Sequence, residues 1–375
     1  MNILTVSHFY KAHGGGIERV AWHLCRQFAH LGVTPLWAAS DTDAPPEADI
    51  KSVPLTCADP LEKLTGLPMP LPGLRAFSAL MRAVRHSDAL VIHDALYVTS
   101  ILALLLGKRY GKRVILIQHI ANIPFASKRL RGLMALANLV ITQPMLWAAD
   151  ARVFISDTVR HDLLGTPPRH PCQLLFNGVD HSLFYPVATP LEKNGSPASI
   201  GTRRILFVGR YVEKKGLTVI RALATARPDL QFWLVGSGPL HPSDWELGNV
   251  QDLGTRPPQA LATLYREADL LLLPSVGEGY PLVIQEAMAC GLPVICGDHA
   301  QRADPDAATW LYGVSIDLSD PQGSAQRCAK AIDNFALTFA ERMAMARHAA
   351  TRYDWQAMAQ SILILAQGNQ PPEQT

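Results

Sequence analysis

Cysteine is sparse in this 375-residue sequence, and its six copies (Cys25, Cys57, Cys172, Cys290, Cys296, Cys328) are scattered with no Cys-x-x-Cys pair. That spacing excludes a disulfide framework and a cysteine zinc site, and leaves reduced core thiols as the expectation. The histidines lack ligand spacing, so no metal is expected from them. Charge is also scarce: charged residues make up 18% and the net charge is +2. With hydrophobic content of 48%, this is neither a disordered chain nor a strongly basic nucleic-acid binder. No apolar run is long enough to cross a bilayer; the longest, Ala95 to Gly107, reads as a core helix. The sequence opens on a strand, Ile3–Ser7, so no leader peptide and a cytoplasmic location are expected.

What is present is a regular alternation of strand and helix. The first half reads as strand Ile3–Ser7, a glycine loop, helix Ile17–Leu31 and strands Thr34–Ala39, Ala89–His93, Val114–Gln118 and Ala151–Ile155. The second half adds strands Arg204–Val208, Gln231–Val235, Val250–Leu253, Leu270–Pro274 and Pro293–Cys296. Such alternation predicts parallel sheets covered by helices on both faces. The length suits two domains. They are expected at 1–185 and 204–352, joined by a Pro/Gly/Ser/Thr-rich linker at 186–203 and followed by a helix at 353–367 and a disordered tail at 368–375. Two doubly wound, Rossmann-like α/β domains would then face each other across a cleft, with ligands at the carboxyl ends of the strands.

Glu278 and Glu286 bracket the stretch Glu278-Gly-Tyr-Pro-Leu-Val-Ile-Gln-Glu286, which leaves a buried strand and opens a helix. Pro281 is expected at the first helical position, where its missing N–H costs nothing. The N–H groups of Leu282 and Val283 then point from a positive helix end suited to a phosphate. A carboxylate on either side of that end accepts hydroxyl hydrogen bonds, and phosphate between two sets of hydroxyls describes a nucleotide sugar. Breaking the sugar–phosphate bond builds negative charge on the departing phosphate, so a cation must meet it. Arg210 and Lys215, just past the strand Ile205–Val208, are placed for that, while Lys214 reads as a solvated neighbour.

These residues sit among motifs that resemble glycosyltransferase family 4, retaining enzymes with the GT-B fold. The motifs are Gly14-Gly-Gly-Ile-Glu-Arg19, Asn177-Gly-Val-Asp-His-Ser-Leu-Phe-Tyr-Pro186, Phe207-Val-Gly-Arg-Tyr-Val-Glu-Lys-Lys-Gly216, Val235-Gly-Ser-Gly-Pro239, Leu264-Tyr-Arg-Glu-Ala-Asp269 and the Glu278-x7-Glu286 segment running into Ala287-Met-Ala-Cys-Gly-Leu-Pro-Val-Ile295. The resemblance extends over nearly the whole chain. It implies a nucleotide-sugar-binding C-terminal domain, an acceptor-side N-terminal domain and a last helix that packs back toward the latter. It assigns Arg210 and Lys215 to the diphosphate, Glu278 to the transferred sugar, Glu286 to the ribose and the backbone at Gly254 and Thr255 to the base. Gly279, Tyr280, Pro281, Leu282 and Val283 complete the donor loop, Gly15 and Gly16 approach the donor phosphates or the acceptor, and His119 contacts the sugar or positions the acceptor. His93 is a weaker second histidine. The implied reaction is front-face transfer with retention, without a cofactor, from a UDP-sugar first and a GDP-sugar next, in bacterial cell-surface polysaccharide or lipopolysaccharide assembly. The alternatives are a GT-B epimerase or phosphorylase, and a non-catalytic nucleotide-sugar-binding subunit.

Asp41-Thr-Asp43 and Asp304-Pro-Asp306 both spell the Asp-x-Asp tripeptide that holds a cation in the other main glycosyltransferase fold, and both read as incidental. Gly236-Ser-Gly238 lacks the third glycine of a dinucleotide fingerprint. Residues 1–185 hold 18 Lys+Arg against 13 Asp+Glu, and the remainder 16 against 19. The basic segments of the first half lie beside apolar helical sequence, which suits peripheral contact with an anionic membrane at its inner face or merely a solvated helix surface. Gly297-Asp-His-Ala-Gln-Arg302 departs from the family's pattern at the wall beside the donor.

Overall fold

The computed structural model describes residues 1–46, 50–58, 69–121, 128–187 and 203–371. Most of the expected linker, 188–202, lies outside the described residues. The chain divides into two compact units, the first made of Met1–Gly178 with Asp354–Thr375 and the second of Val179–Tyr353. The first unit therefore closes seven residues ahead of the expected boundary at 185, at Gly178. The reason is local. Arg266 Nη1 donates to the Leu183 carbonyl (3.1 Å), and Phe184 packs edge-on against Tyr265, so 179–186 is held by the second unit.

In the first unit, strands β1 (Asn2–Val6), β2 (Thr34–Ser40), β3 (Lys51–Leu55), β6 (Ala89–His93), β7 (Arg113–Gln118), β8 (Ala151–Phe154) and β9 (Gln173–Leu174) form one sheet in the order β3-β2-β1-β6-β7-β8-β9. Between β3 and β6, the short β4 (Cys57–Ala58) and β5 (Leu71–Pro72) pair separately. Every neighbour in the large sheet is parallel. Its central strands are continuous apolar runs without exposed side chains, as covering on both faces requires. The helices of this stretch are α1 (Gly16–His30), α2 (Leu74–His86), α3 (Val98–Arg109), α4 (Lys128–Ala137), α5 (Gln143–Ala148) and α6 (Asp157–Leu164), with a π-helical turn at Asn138–Thr142 between α4 and α5.

The second unit repeats the plan. Strands β10 (Arg204–Val208), β11 (Gln231–Val235), β12 (Val250–Asp252), β13 (Leu270–Leu273), β14 (Val294–Gly297) and β15 (Leu311–Val314) lie parallel in the order β12-β11-β10-β13-β14-β15. Its helices are α7 (Leu217–Ala226), α8 (Pro258–Glu267), α9 (Leu282–Ala289), α10 (Asp298–Gln301), α11 (Pro321–Asn334) and α12 (Phe339–Arg352). The last helix, α13 (Trp355–Ala366), belongs to the first unit, where it packs on α1 and beside β7. Met358, Ile362 and Leu365 are buried there, each stabilising by roughly 1.5–3 kcal/mol. His23 of α1 stacks on Trp355 at 4.4 Å, and Arg113 Nε donates to the Leu365 carbonyl. A Cβ at Gly178 would stand 2.3 Å from the Trp355 nitrogen, so only glycine lets these segments cross.

The expected strands coincide with the observed ones to within one residue at each end. Strands β3, β9 and β15 were not among them; β3 carries Pro54, which is tolerated because β3 is the edge of its sheet. Pro281 is the N-cap of α9 and not its first helical residue, with ψ at 130°. The tail is ordered at its start: the Gly368 and Asn369 N–H groups donate to the carbonyls of Leu365 and Ile364. All six cysteines are free, and burial pushes Cys25, Cys290 and Cys328 up to about 12, which leaves them inert.

Candidate active site

Both sheets reverse winding direction at their centre, between β1 and β6 in one and between β10 and β13 in the other. Ligands of such sheets bind at the strand carboxyl ends beside that reversal. The sequence-singled residues divide between these two places.

In the second unit, β10 runs through Gly209-Arg210-Tyr211-Val212 into a single 3-10 turn, Glu213–Lys215. Gly216 ends the turn at φ 77°, and a Cβ there would come 2.2 Å from the Pro274 carbonyl oxygen. This contact, with the Val276 N–H donating to the Lys214 carbonyl (2.9 Å), presses the β10 loop against the β13 loop. The result brings Lys215 under Glu278, with Nζ 2.7 Å from each carboxylate oxygen. Burial pushes the Glu278 carboxyl up, but Lys215, Lys214 and Arg210 outweigh it and hold the group below its ordinary value. Lys214 is therefore no solvated bystander. It is half-buried, and burial, then the Lys215 and Arg210 cations, lower its pKa against the opposing pull of Glu278.

Beyond Glu278 the loop enters α9. The Ile284 N–H closes on the Pro281 carbonyl (3.0 Å), leaving the Leu282 and Val283 N–H groups without intrahelical partners. Gly279 is buried in this loop. The Tyr280 side chain turns inward and hydrogen-bonds the Tyr353 hydroxyl (2.9 Å), so only its backbone remains for a ligand. Tyr353 in turn donates to Asp304 Oδ2 (2.8 Å), which also accepts from Arg352 Nε (2.8 Å). His299 Nδ1 lies 3.2 Å from the Glu278 carbonyl, so the segment that departs from the family pattern braces the loop from behind. Glu286 is buried one turn into α9, with Oε2 accepting from the Tyr265 hydroxyl (3.0 Å).

Gly209, Gly236 and Gly254 join the ends of β10, β11 and β12. The Gly236 N–H donates to the Gly254 carbonyl (3.1 Å), and a Cβ at Gly236 would sit 1.8 Å from the Gly209 oxygen. The glycine pair Gly236 and Gly238 thus serves strand-end packing. Asp252 accepts from the Tyr211 hydroxyl (2.8 Å) and the Gly254 N–H (2.9 Å), which shapes the Gly254–Thr255 bend, and Thr255 is exposed.

In the first unit, the ends of β1, β6 and β7 gather His8, His93, Asp94 and His119. His93 Nδ1 and His119 Nε2 share a hydrogen bond of 2.9 Å, and His8 stacks on Tyr97. Asp94 adopts φ 58°, uncommon for a residue with a side chain, and its Oδ1 accepts the His119 N–H at 2.7 Å. Among the described residues, Asp94 Oδ2, His93 Nε2 and both His8 ring nitrogens are buried without a hydrogen-bond partner. Burial lowers His93 to about 3 and drives His8 and His119 well below 6.5, so three neutral rings stand together. Burial raises the Asp94 carboxyl to about 7, against the pull of the His119 and Ile120 N–H groups. Gly15 caps α1, and a Cβ on it would collide with the Glu18 carboxylate at 2.0 Å, whereas one on Gly16 would meet nothing within 4 Å. His8 and Asp94 escaped the sequence reading, although they stand within two residues of the ends of β1 and β6, the strands of the central reversal.

The Asp-x-Asp pairs are otherwise engaged. Asp304 and Asp306 serve Arg352 and Tyr353, and Asp43 lies 3.1 Å from His13 Nδ1. Among the described residues no three His, Cys, Asp or Glu side chains gather as a metal requires.

Residues 14–183 match the family described as Glycosyltransferase Family 4, and residues 202–334 the one described as Glycosyl transferases group 1. The chain is 27% identical over 389 residues to the D-inositol 3-phosphate glycosyltransferase of Thermobispora bispora, covering 92% of this chain and 88% of that protein. It is 29% identical over 219 residues to the GDP-mannose-dependent monoacylated alpha-(1-6)-phosphatidylinositol monomannoside mannosyltransferase of Corynebacterium glutamicum. That match takes in 53% of this chain and 57% of the relative, less than two thirds of its length. Among solved structures, Anabaena HepE in complex with UDP is similar with a TM-score of 0.70 at 16% identity, over 98% of this chain and 100% of that one. The two parallel sheets are those of the GT-B fold.

Proposed function

The chain belongs to glycosyltransferase family 4, and from that premise we propose that it is a retaining transferase moving a sugar from a nucleoside diphosphate to a glycan or lipid-linked acceptor. The observation that carries the reading is the Lys215–Glu278 pair, flanked by Lys214 and Arg210, at the mouth of α9. As the sugar–phosphate bond breaks, charge grows on the phosphate oxygens. Arg210, Lys214 and Lys215 meet that charge, and the open Leu282 and Val283 N–H groups donate to the same oxygens. Glu278, held ionised by these cations, accepts hydrogen bonds from the moving sugar. Glu286, oriented by Tyr265, does so from the ribose, and the Gly254–Thr255 bend lies at the base.

The departing phosphate takes the acceptor's proton on the same face from which the sugar leaves, which retains the anomeric configuration. His119 is neutral, so its part is to donate or accept a hydrogen bond and not to carry charge. UDP is the preferred nucleotide and GDP the next; HepE binds UDP, and the corynebacterial relative is GDP-mannose-dependent. A lipid-linked acceptor places the work in cell-surface polysaccharide assembly, at the cytoplasmic face of a membrane. Thermal-shift titration with UDP, GDP and ADP, followed by turnover with their sugars, tests this. Stabilisation by UDP, and loss of turnover in Lys215→Ala and Glu278→Ala, is expected. Stabilisation by none of the nucleotides, or undiminished turnover in both variants, overturns it.

A further inference from the structure

The ends of β6 and β7 bring two histidines into one hydrogen bond, and the surroundings of that bond fix its direction. The strands run parallel with His93 opposite Ile117, so His119, one residue past β7, stands beside the end of β6. His93 Nδ1 and His119 Nε2 are 2.9 Å apart. The ring planes differ by only 25° with centroids 5.2 Å apart, so the rings meet edge to edge, and a lone pair of one faces the N–H of the other. Both rings are neutral because burial drives their pKa values down. One of the two nitrogens therefore carries the bridging proton.

His93 decides which. If His119 Nε2 gave that proton, the neutral His93 ring would bear its own N–H at Nε2. His93 is fully buried, and its Nε2 has no hydrogen-bond partner among the described residues. A sealed N–H without an acceptor is a costlier defect than a sealed lone pair. The proton of His93 thus sits on Nδ1 and is donated to His119 Nε2, which leaves His119 protonated at Nδ1. Among the described residues His119 Nδ1 has no partner, yet it is not one of the sealed atoms, whereas both ring nitrogens of His8 are. It is the ring nitrogen of this group that a ligand can reach. The backbone beneath it is held too: Asp94 Oδ1 accepts the His119 N–H at 2.7 Å, the Asp94 carboxylate also takes the Ile120 N–H, and Asp94 keeps φ at 58°.

We propose that His93 is a positioning residue that locks His119 as its Nδ1–H tautomer, so that His119 donates to a sugar hydroxyl oxygen and cannot accept from one. The identity of that ligand rests on the proposed transferase. As a sugar parts from its phosphate, positive charge grows on the anomeric carbon. An uncharged donor holds a hydroxyl there without opposing that charge, which an imidazolium would do.

Nitrogen-15-labelled histidine in the full chain reads the tautomer without turnover, by two-bond proton–nitrogen correlation, with His119→Gln identifying the His119 signals. His119 protonated at Nδ1 alone is expected; protonation at Nε2, or at both nitrogens at neutral pH, overturns the proposal. His93→Phe keeps the bulk and removes the bridging donor, so kcat should fall about tenfold, the scale of one hydrogen bond, while UDP affinity holds. His93→Asn places an amide N–H where Nδ1 stands, and should recover most of that loss together with the Nδ1–H signature. Undiminished kcat in His93→Phe overturns the proposal. So does a loss that His93→Asn shares in full, because packing alone then accounts for it. Should His93→Phe fail to fold, the wild-type spectrum decides. A chain with His119 in the Nδ1–H form that transfers no sugar refutes the transferase and leaves the tautomer lock standing.

Discussion

Replacing Glu278 with glutamine is expected to tighten nucleoside diphosphate binding while stopping turnover. Glu278 and a diphosphate compete for the same ammonium, since Lys215 Nζ is 2.7 Å from each carboxylate oxygen. With Arg210, Lys214 and Lys215 around one carboxylate, glutamine raises the local formal charge by one unit at nearly constant shape. A unit pair about 4 Å apart interacts by about 4 kcal/mol near a protein surface, an upper bound here because the glutamine amide and water still occupy the ammonium. Both side chains are 14% exposed, so most of that is screened or replaced, and about 1 kcal/mol remains to favour the phosphate. The dissociation constant for UDP should then fall roughly fivefold at low salt, and the gain should fade as the Debye length shortens. Turnover should fall by at least about a hundredfold, the scale seen when one transition-state partner is lost. Titration calorimetry with UDP at two salt concentrations, beside a product assay, reads both. If Glu278→Gln binds UDP no tighter than wild type at low salt, the idea that the carboxylate restrains Lys215 is wrong.

Gly216→Ala adds a methyl group where φ is 77° and the Pro274 oxygen stands 2.2 Å away, so about 3 kcal/mol of destabilisation is expected, measured by calorimetric melting. The first unit should be acid-sensitive, because His8, His93 and His119 have folded pKa values depressed below 6.5: their stabilisation is whole above pH 6.5 and is lost as pH falls. Each neutral ring loses about 1.4 kcal/mol per pH unit below the unfolded value. Asp94, raised from 3.8 to about 7, acts oppositely and gains stability as pH falls through 7. The net loss between pH 7 and about 5.5 is about 2 kcal/mol, visible as a lower urea midpoint, and an unchanged midpoint refutes the neutral-ring cluster. Tyr353→Phe removes the hydroxyl between Tyr280 and Asp304 and should cost about 1–3 kcal/mol, with KM for the donor rising more than kcat falls. Equal donor KM in variant and wild type would separate that network from the donor loop.

Much of this molecule was legible before its coordinates. Parallel strands buried on both faces write themselves as unbroken apolar runs, and the expected strands β1, β6, β10 and β13 coincide with the observed ones to within a residue. Strand β3 went unmarked; its Pro54 is compatible only with an edge, and edge position is a property of the sheet and not of the strand. Arg210, Lys215 and Glu278 were visible because motif spacing marks them. Lys214 was misjudged because spacing was read along the chain, whereas a 3-10 turn and the backing of β13 hold adjacent lysines in one field. The partnership of His93 with His119, and the clamp by Asp94, needed the strand order β1-β6-β7, which joins residues far apart in sequence. Pro281 shifted by one position because capping depends on a single ψ angle.

The interruption of the first unit between Gly178 and Asp354 bears on how the protein is made. A ribosome delivers β1 through β9 early, yet the helix that covers α1 emerges only after the whole second unit. Until Trp355 reaches Gly178, the apolar face of α1 under α13 stays open to water and to other chains. The Tyr280 loop waits nearly as long, because its brace, Tyr353, stands two residues before that helix. The half synthesised first is therefore among the last parts to be finished, and a chain cut short near residue 350 lacks both the helix that closes its first unit and the hydroxyl that braces its donor loop.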